Sequence, residues 1–241
     1  MAQILNLELE AKAAHVREFL SEAVREYGRT VYANSLGAEA MVLTDILCTS
    51  LPQIDIVSID TGRLHEESYD LLAKLQRRYD HRIRVIYPDG EDVSALVTRQ
   101  GINGFFESTE ARGACCNVRK VVPFRKFVAG YDAWITGVRR EHSKARSEGQ
   151  AIEWDAQNGL HKISPLLDWT EEQVWSYIRA RGLPFNSLHE KGYPSIGCAP
   201  CTRAVLPGED HRAGRWWWEQ TEQRECGLHP KARSGLTGSR S

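Results

Sequence analysis

Four short apolar runs rich in β-branched residues, at 30–34, 54–59, 83–87 and 133–137, alternate with stretches of helical period. The first contains Thr30, Val31 and Tyr32, the second reads Ile-Asp-Ile-Val-Ser-Ile, and the last is Ala133-Trp134-Ile135-Thr136-Gly137. Between and around them, apolar positions at helical spacing predict helices over 9–27, from about Ala38, over His65–Tyr79, and over 91–100 and 115–129. Strands that alternate with helices predict an α/β fold, a mostly parallel sheet with helices on both faces. Ligands of such sheets sit beyond the carboxyl ends of the strands. The chemically suggestive segments, 35–39, 60–65 and 138–146, follow strands in this way.

The rest of the chain is less regular. A hairpin is predicted over 151–164 around Asn158-Gly159, then a helix from Thr170 to Arg181 with Thr170 as N-cap. The Pro- and Gly-rich stretch 183–208 reads as loop, 209–223 as a last helix, and 230–241 as a mobile polar tail. A division follows: residues 1–208 as the α/β body and 209–241 as a C-terminal segment. With 31 basic and 32 acidic residues the net charge is -1, so no global pull toward nucleic acid or membrane exists and any anion site must be local. The first ten residues lack the basic and apolar regions of a signal peptide, and no run is long enough to span a bilayer. The expectation is a cytoplasmic protein with neither nucleic acid nor membrane as partner.

Ser35-Leu36-Gly37-Ala38-Glu39 lies between a predicted strand and helix. A glycine there lets the backbone approach a phosphate, and the helix N-terminus presents free N–H groups. An ordinary capped turn is the alternative. The spacing resembles the pyrophosphate loop of the nucleotide alpha hydrolases, a Rossmann-like fold, with Leu36 in place of one Gly and Glu39 in place of Asp. Asp60, Thr61 and Gly62 follow the second strand and read either as a plain turn or as a wall of the nucleotide pocket.

Six cysteines in a reducing compartment do not read as a disulfide frame. Cys115 and Cys116 are adjacent, and Cys198 and Cys201 form a Cys-x-x-Cys pair, giving four ligands for zinc or an iron–sulfur cluster. The adjacent pair is expected to open a helix, whose N-terminus stabilises thiolates. A Cys-Cys dipeptide suits zinc chelation poorly and a bulky cubane better. Cys48 reads as a packed thiol, and Cys226, in Glu225-Cys226-Gly227-Leu228-His229, as either a reactive thiol or a chance surface cysteine. Arg139, Arg140, Lys144, Arg146, Lys120, Arg203, Arg212 and Arg215 form a basic set in which any one member alone reads as a solvated charge. Lys120 differs, because it lies four residues after Cys116, on the same helix face.

Cys115-Cys116, Gly137-Val138-Arg139-Arg140, Tyr193-Pro194-Ser195-Ile196-Gly197-Cys198-x-x-Cys201-Thr202 and Glu225-Cys226-Gly227-Leu228-His229 together resemble the assimilatory adenylyl-sulfate reductases. The resemblance runs in order from about Thr30 to His229, with Ala40 and His142 departing from the family pattern. It implies a 4Fe–4S cluster on Cys115, Cys116, Cys198 and Cys201, thioredoxin or glutaredoxin as electron donor, a place in sulfate assimilation toward cysteine, and a homo-oligomer. Cys226 is then the nucleophile that takes the sulfo group from adenosine 5′-phosphosulfate, releasing AMP and leaving an S-sulfonate. Lys120, Arg212 and Arg215 are the candidates at the sulfate, Arg139 and Arg140 hold the phosphate or the fold, and Ser35, Gly37, Glu39, Asp60, Thr61 and Gly62 surround the adenylate. The rivals are a cluster-bearing reductase of the 3′-phosphorylated substrate, an ATP-using enzyme of the same fold, and a zinc module.

Overall fold

The structure is a computed structural model, and it describes residues 2–80, 82–142, 149–219 and 228. Cys226 and the tail therefore lie outside the described residues, as do Lys144 and Arg146. The sheet is built from β1 (Thr30–Asn34), β2 (Asp55–Ile59), β3 (Ile83–Ile86), β4 (Ala133–Ile135), β5 (Ile152–Asp155) and β6 (Leu160–Ile163) in the order β3-β2-β1-β4-β6-β5. All neighbours pair parallel except β5, which runs antiparallel to β6. The predicted hairpin thus forms, and its second strand is also part of the main sheet, seated on β4 with Ile135 opposite Ile163.

Side chains alternate across the sheet with the period of two that a doubly covered strand requires. Tyr32, Ile56, Ala133 and Ile135 face one core, while Val31, Val57 and Trp134 face the other. The first core is covered by α1 (Ala2–Tyr27), α2 (Ala38–Ser50), α3 (Glu66–Arg78) and α7 (Glu171–Ala180). The second is closed by Phe124 and Val128 of α6 (Val122–Val128). Helix α1 begins before the predicted 9–27 and buries Leu9, Ala13, Val16, Leu20 and Ala23, a stripe at spacings of three and four. Helix α7 begins at a capping box. The Thr170 hydroxyl accepts from Gln173 N at 3.2 Å. In return, Thr170 N donates to Gln173 Oε1 at 3.0 Å. Buried Asp45 of α2 accepts hydroxyl bonds from Tyr79 and Tyr177, each at 2.9 Å, tying the end of α3 and the middle of α7 to the first core.

Two expectations are corrected. The stretch 115–129 is not one helix opened by the cysteines. Instead α5 (Thr109–Cys116) starts at the Ser108 cap, and Cys115 and Cys116 are its last two residues. A π-helical turn, Asn117–Val121, then carries the chain into α6. Ser108 sets the N-terminus because its hydroxyl accepts from Ala111 N at 3.1 Å, which satisfies one of the free donors of the first turn. Second, residues 209–219 form turns, not a helix, and the remaining residues of the predicted 209–223 helix lie outside the described set. Those turns are pinned by an antiparallel bridge between Thr202 and Arg215, and the Trp216 N–H donates to the Cys201 carbonyl at 3.1 Å. The loop reading of 183–208 holds, interrupted by 3-10 turns at Ser187–Lys191 and Ala199–Cys201. Among the described residues no helix is long and apolar enough to cross a membrane.

Candidate functional site

The chain leaves β3 through α4 (Gly90–Gln100) and returns to the sheet on the far side of β1, so β1 and β4 emerge side by side at the point where the strand order reverses. A crevice opens there by necessity, since the connections leave in opposite directions. It holds a cavity of about 210 Å³. Ser35, Leu36, Gly37, Ala38 and Glu39 line it from the end of β1, Thr61 from β2, and Thr136, Gly137 and Val138 from β4.

Leu36 adopts a left-handed φ of 60°, in the region that glycine favours. It is held there by its N–H donating to Asn34 Oδ1 at 2.8 Å. Glu39 turns inward. It accepts from Arg139 Nε at 2.8 Å, and His142 Nε2 lies 3.0 Å away. Burial pushes its pKa up, but His142 and Arg139 outweigh burial and hold it at about 2. Gly137 is required opposite it: a Cβ there would stand 2.9 Å from Glu39 Cβ.

The predicted substrate residues therefore divide. Ser35, Gly37, Glu39, Thr61, Arg212 and Arg215 line the cavity. Asp60, Gly62, Arg139 and Arg140 do not. Asp60 Oδ1 accepts from Gly62 N at 2.7 Å and from the Tyr69 hydroxyl at 3.0 Å, which shapes the turn after β2. Gly62 supplies that turn with a φ of 71°. Arg139 is buried against Glu39, Glu141 and the Trp169 carbonyl. Arg140 is bound at 2.6 Å to Asp168 and at 2.6 Å to the Gly149 carbonyl. Of the two uses considered for these arginines, the geometry supports the fold.

A second pocket adjoins the first. Cys115, Cys116, Cys198 and Cys201 all line it. Helix α5 delivers the first two, and the 3-10 turn at Ala199–Cys201 delivers the others, closed by Cys201 N donating to the Cys198 carbonyl at 2.9 Å. The sulfurs are mutual neighbours: burial first, then Cys198, Cys116 and Cys115, push the Cys201 thiol up to about 12. Burial likewise pushes the Cys115 thiol up, so these two thiols resist ionising unless a cation joins them. Among the described residues, no group of three or more His, Cys, Asp or Glu is set to hold a metal ion. The quartet surrounds a shared space instead.

Cations ring that space. Arg63, Arg112, Arg119, Lys120 and Arg215 line it with the cysteines. Thr61 Oγ1 lies 3.2 Å from Cys198 Sγ, and Arg119 Nη1 donates to the Thr61 carbonyl at 2.8 Å. Lys120, Thr61, Cys198 and Arg215 border both pockets. Lys120 lies in the π-helical turn after Cys116, not on a continuous α-helix face with it, and borders both pockets from there. Arg63, Arg112 and Arg119 were not among the expected site residues. The spacing that singled out Lys120 carries two of them, since Arg119 is four residues after Cys115 and Arg112 is four before Cys116. Leu228, two residues along the chain from Cys226, lines the first pocket.

Residues 29–204 match the family model described as phosphoadenosine phosphosulfate reductase domain. The chain is 51% identical over 221 residues to a protein of Allochromatium vinosum named adenosine 5′-phosphosulfate reductase, covering 92% of this chain and 86% of that one. It is 44% identical over 228 residues to a protein of the same name from Burkholderia cepacia, covering 95% and 91%. Among solved structures, the phosphoadenylyl-sulfate reductase of Candida auris in its phosphate complex superposes with a TM-score of 0.67 at 28% identity, covering 79% of this chain and 90% of that one. An FMN adenylyltransferase of Candida glabrata shares the fold, with a TM-score of 0.59 at 14% identity over 95% of this chain and 81% of that one.

Proposed function

The chain belongs to the phosphoadenosine phosphosulfate reductase family of enzymes, and from that footing we propose that it reduces adenosine 5′-phosphosulfate to sulfite and AMP in sulfate assimilation. The observation that carries the reading is the junction of the two pockets. The crevice of about 210 Å³ at the strand switch point and the four-cysteine pocket share Lys120 and Arg215, and Leu228, two residues from Cys226, lines the crevice.

The chemistry follows from charge. The Cys226 thiolate attacks the sulfur of the bound phosphosulfate, the S–O bond to phosphate breaks, and AMP leaves with the electron pair, giving a cysteine S-sulfonate. An anionic nucleophile approaching an anionic sulfate needs fixed cations beside it, and Lys120, Arg212 and Arg215 supply them from the wall of the crevice. The turn 35–39 offers backbone N–H groups and the Ser35 hydroxyl to the adenylate. A thiol of reduced thioredoxin or glutaredoxin then attacks the Cys226 sulfur, sulfite departs with the bonding pair, and the donor's second thiol resolves the mixed disulfide. The donor dithiol provides the two electrons.

Cys115, Cys116, Cys198 and Cys201 are the residues that hold a 4Fe–4S cluster in this reading. Four sulfurs around one space, faced by guanidinium groups, suit a bulky anionic group with one metal for each thiolate. Bound there, the cluster supplies structural order to the two cysteine segments and a fixed field beside Lys120.

An assay of anaerobically purified protein with a dithiol protein reductant tests the proposal. Iron and acid-labile sulfide in a cluster ratio, with sulfite released from adenosine 5′-phosphosulfate at a kcat/KM at least about tenfold above that for the 3′-phosphorylated analogue, is the expected result. Zinc in place of iron, or no sulfite from either nucleotide, contradicts it.

A further inference from the structure

Arg215 reaches the crevice from residues 209–219, which have no helix or strand to stiffen them. Its placement is nonetheless tightly defined. The guanidinium lies across Gly197, where a Cβ would collide with Arg215 Nη2, so the close approach depends on the missing side chain. Arg215 Nη1 donates to the Ile196 carbonyl at 3.2 Å. Its Nε is buried with no hydrogen-bond partner among the described residues, a donor left over beside the crevice.

The other flank of Arg215 is the indole of Trp216, with the guanidinium carbon 4.7 Å from a ring centroid. Arg112 of α5 sits 4.5 Å from the ring of the same tryptophan. Two like charges on one side chain repel, and the partner of Arg112 offsets this. Glu219 accepts from Arg112 Nε at 2.7 Å and from Arg112 Nη2 at 3.0 Å. The pair is buried and bidentate, the strongest arrangement for a guanidinium and a carboxylate. Trp216 itself holds a φ of 46°, a conformation that a bulky residue keeps only where its surroundings impose it.

We infer that Arg112 and Glu219 form a positioning clasp which, acting through Trp216, holds the Arg215 guanidinium at the sulfate end of the nucleotide crevice. The inference rests on the substrate reading above and goes beyond it in assigning these two residues. The clasp spans the cysteine pocket, from the helix that carries Cys115 and Cys116 to the turns that carry Arg212 and Arg215. Neither residue lines the crevice, so they are positioning residues rather than catalytic ones.

The test uses the full chain with Cys226→Ser, which cannot consume substrate, and calorimetric titration with adenosine 5′-phosphosulfate and with AMP. Arg112→Met and the isosteric Glu219→Gln are each expected to weaken phosphosulfate binding about tenfold and leave AMP binding within about twofold. The double variant is expected to be no weaker than the weaker single variant, because the Arg112–Glu219 pair is already broken in each single variant. Arg112→Lys, which keeps the charge beside Glu219, is expected to recover part of the affinity. Glu219→Gln keeps the test alive if Arg112→Met does not fold. Phosphosulfate binding retained by the Cys226→Ser parent and unchanged in Glu219→Gln overturns the clasp alone, and so does an equal weakening of both nucleotides. No phosphosulfate binding by the parent overturns the substrate reading, and the clasp as stated falls with it.

Discussion

Glu39 lines the crevice and is also the acidic partner of Arg139 and His142. Its folded pKa of about 2 lies below the ordinary 4.5. The stabilisation is therefore complete above 4.5 and is lost as pH falls through about 2. A shift of that size corresponds to roughly 3 kcal/mol. Urea unfolding of the native chain and Glu39→Gln across this range tests it: the stability gap between them should narrow as the pH falls, and parallel curves would contradict the ion-pair account. Individual residues were legible where local chemistry dictates the role, as with Thr170 capping α7 or the four cysteines meeting at one pocket. The sequence leaves Arg139 and Arg140 open between phosphate and fold. Their partners, Glu39, Glu141 and Asp168, are brought together only by the tertiary fold.

At the scale of elements, the π-turn Asn117–Val121 matters most to the site. Nothing in the sequence marks it, since a widened turn has the same apolar pattern as an α-helix broken by one residue. It lets Arg119 reach the Thr61 carbonyl while Lys120 borders both pockets. Lys120→Ala removes one of the two cations, with Arg215, that border both pockets and should lower both phosphosulfate affinity and the rate of Cys226 sulfonation, the latter by roughly a hundredfold. Single-turnover kinetics check this, and an unchanged rate would make the position of Lys120 incidental. The cysteine helix was misplaced for a related reason. The pair was expected to open a helix, yet the Ser108 cap starts α5 ahead of it and Gly113 is carried inside the helix. The turns at 209–219 have a different cause: Trp216 and Glu219 are committed to long-range contacts with Cys201 and Arg112.

At the scale of the molecule, the architecture was the most legible feature, because strand–helix alternation leaves few arrangements for the sheet. The position of β6 within that sheet was not legible, as pairing of a hairpin strand to β4 depends on a contact remote in sequence. The topology then fixes the function's geography. The crevice falls between β1 and β4, the cysteine pocket beside it, and a chain of net charge -1 gathers five cations around four thiols. The account's central claim is the covalent step at Cys226. Anaerobic protein mixed with adenosine 5′-phosphosulfate in the absence of any reductant should show, by intact and peptide mass spectrometry, one added sulfonate per chain, located on Cys226 and discharged by reduced thioredoxin. A chain that gains no sulfonate, or gains it equally well with Cys226→Ser, contradicts the account.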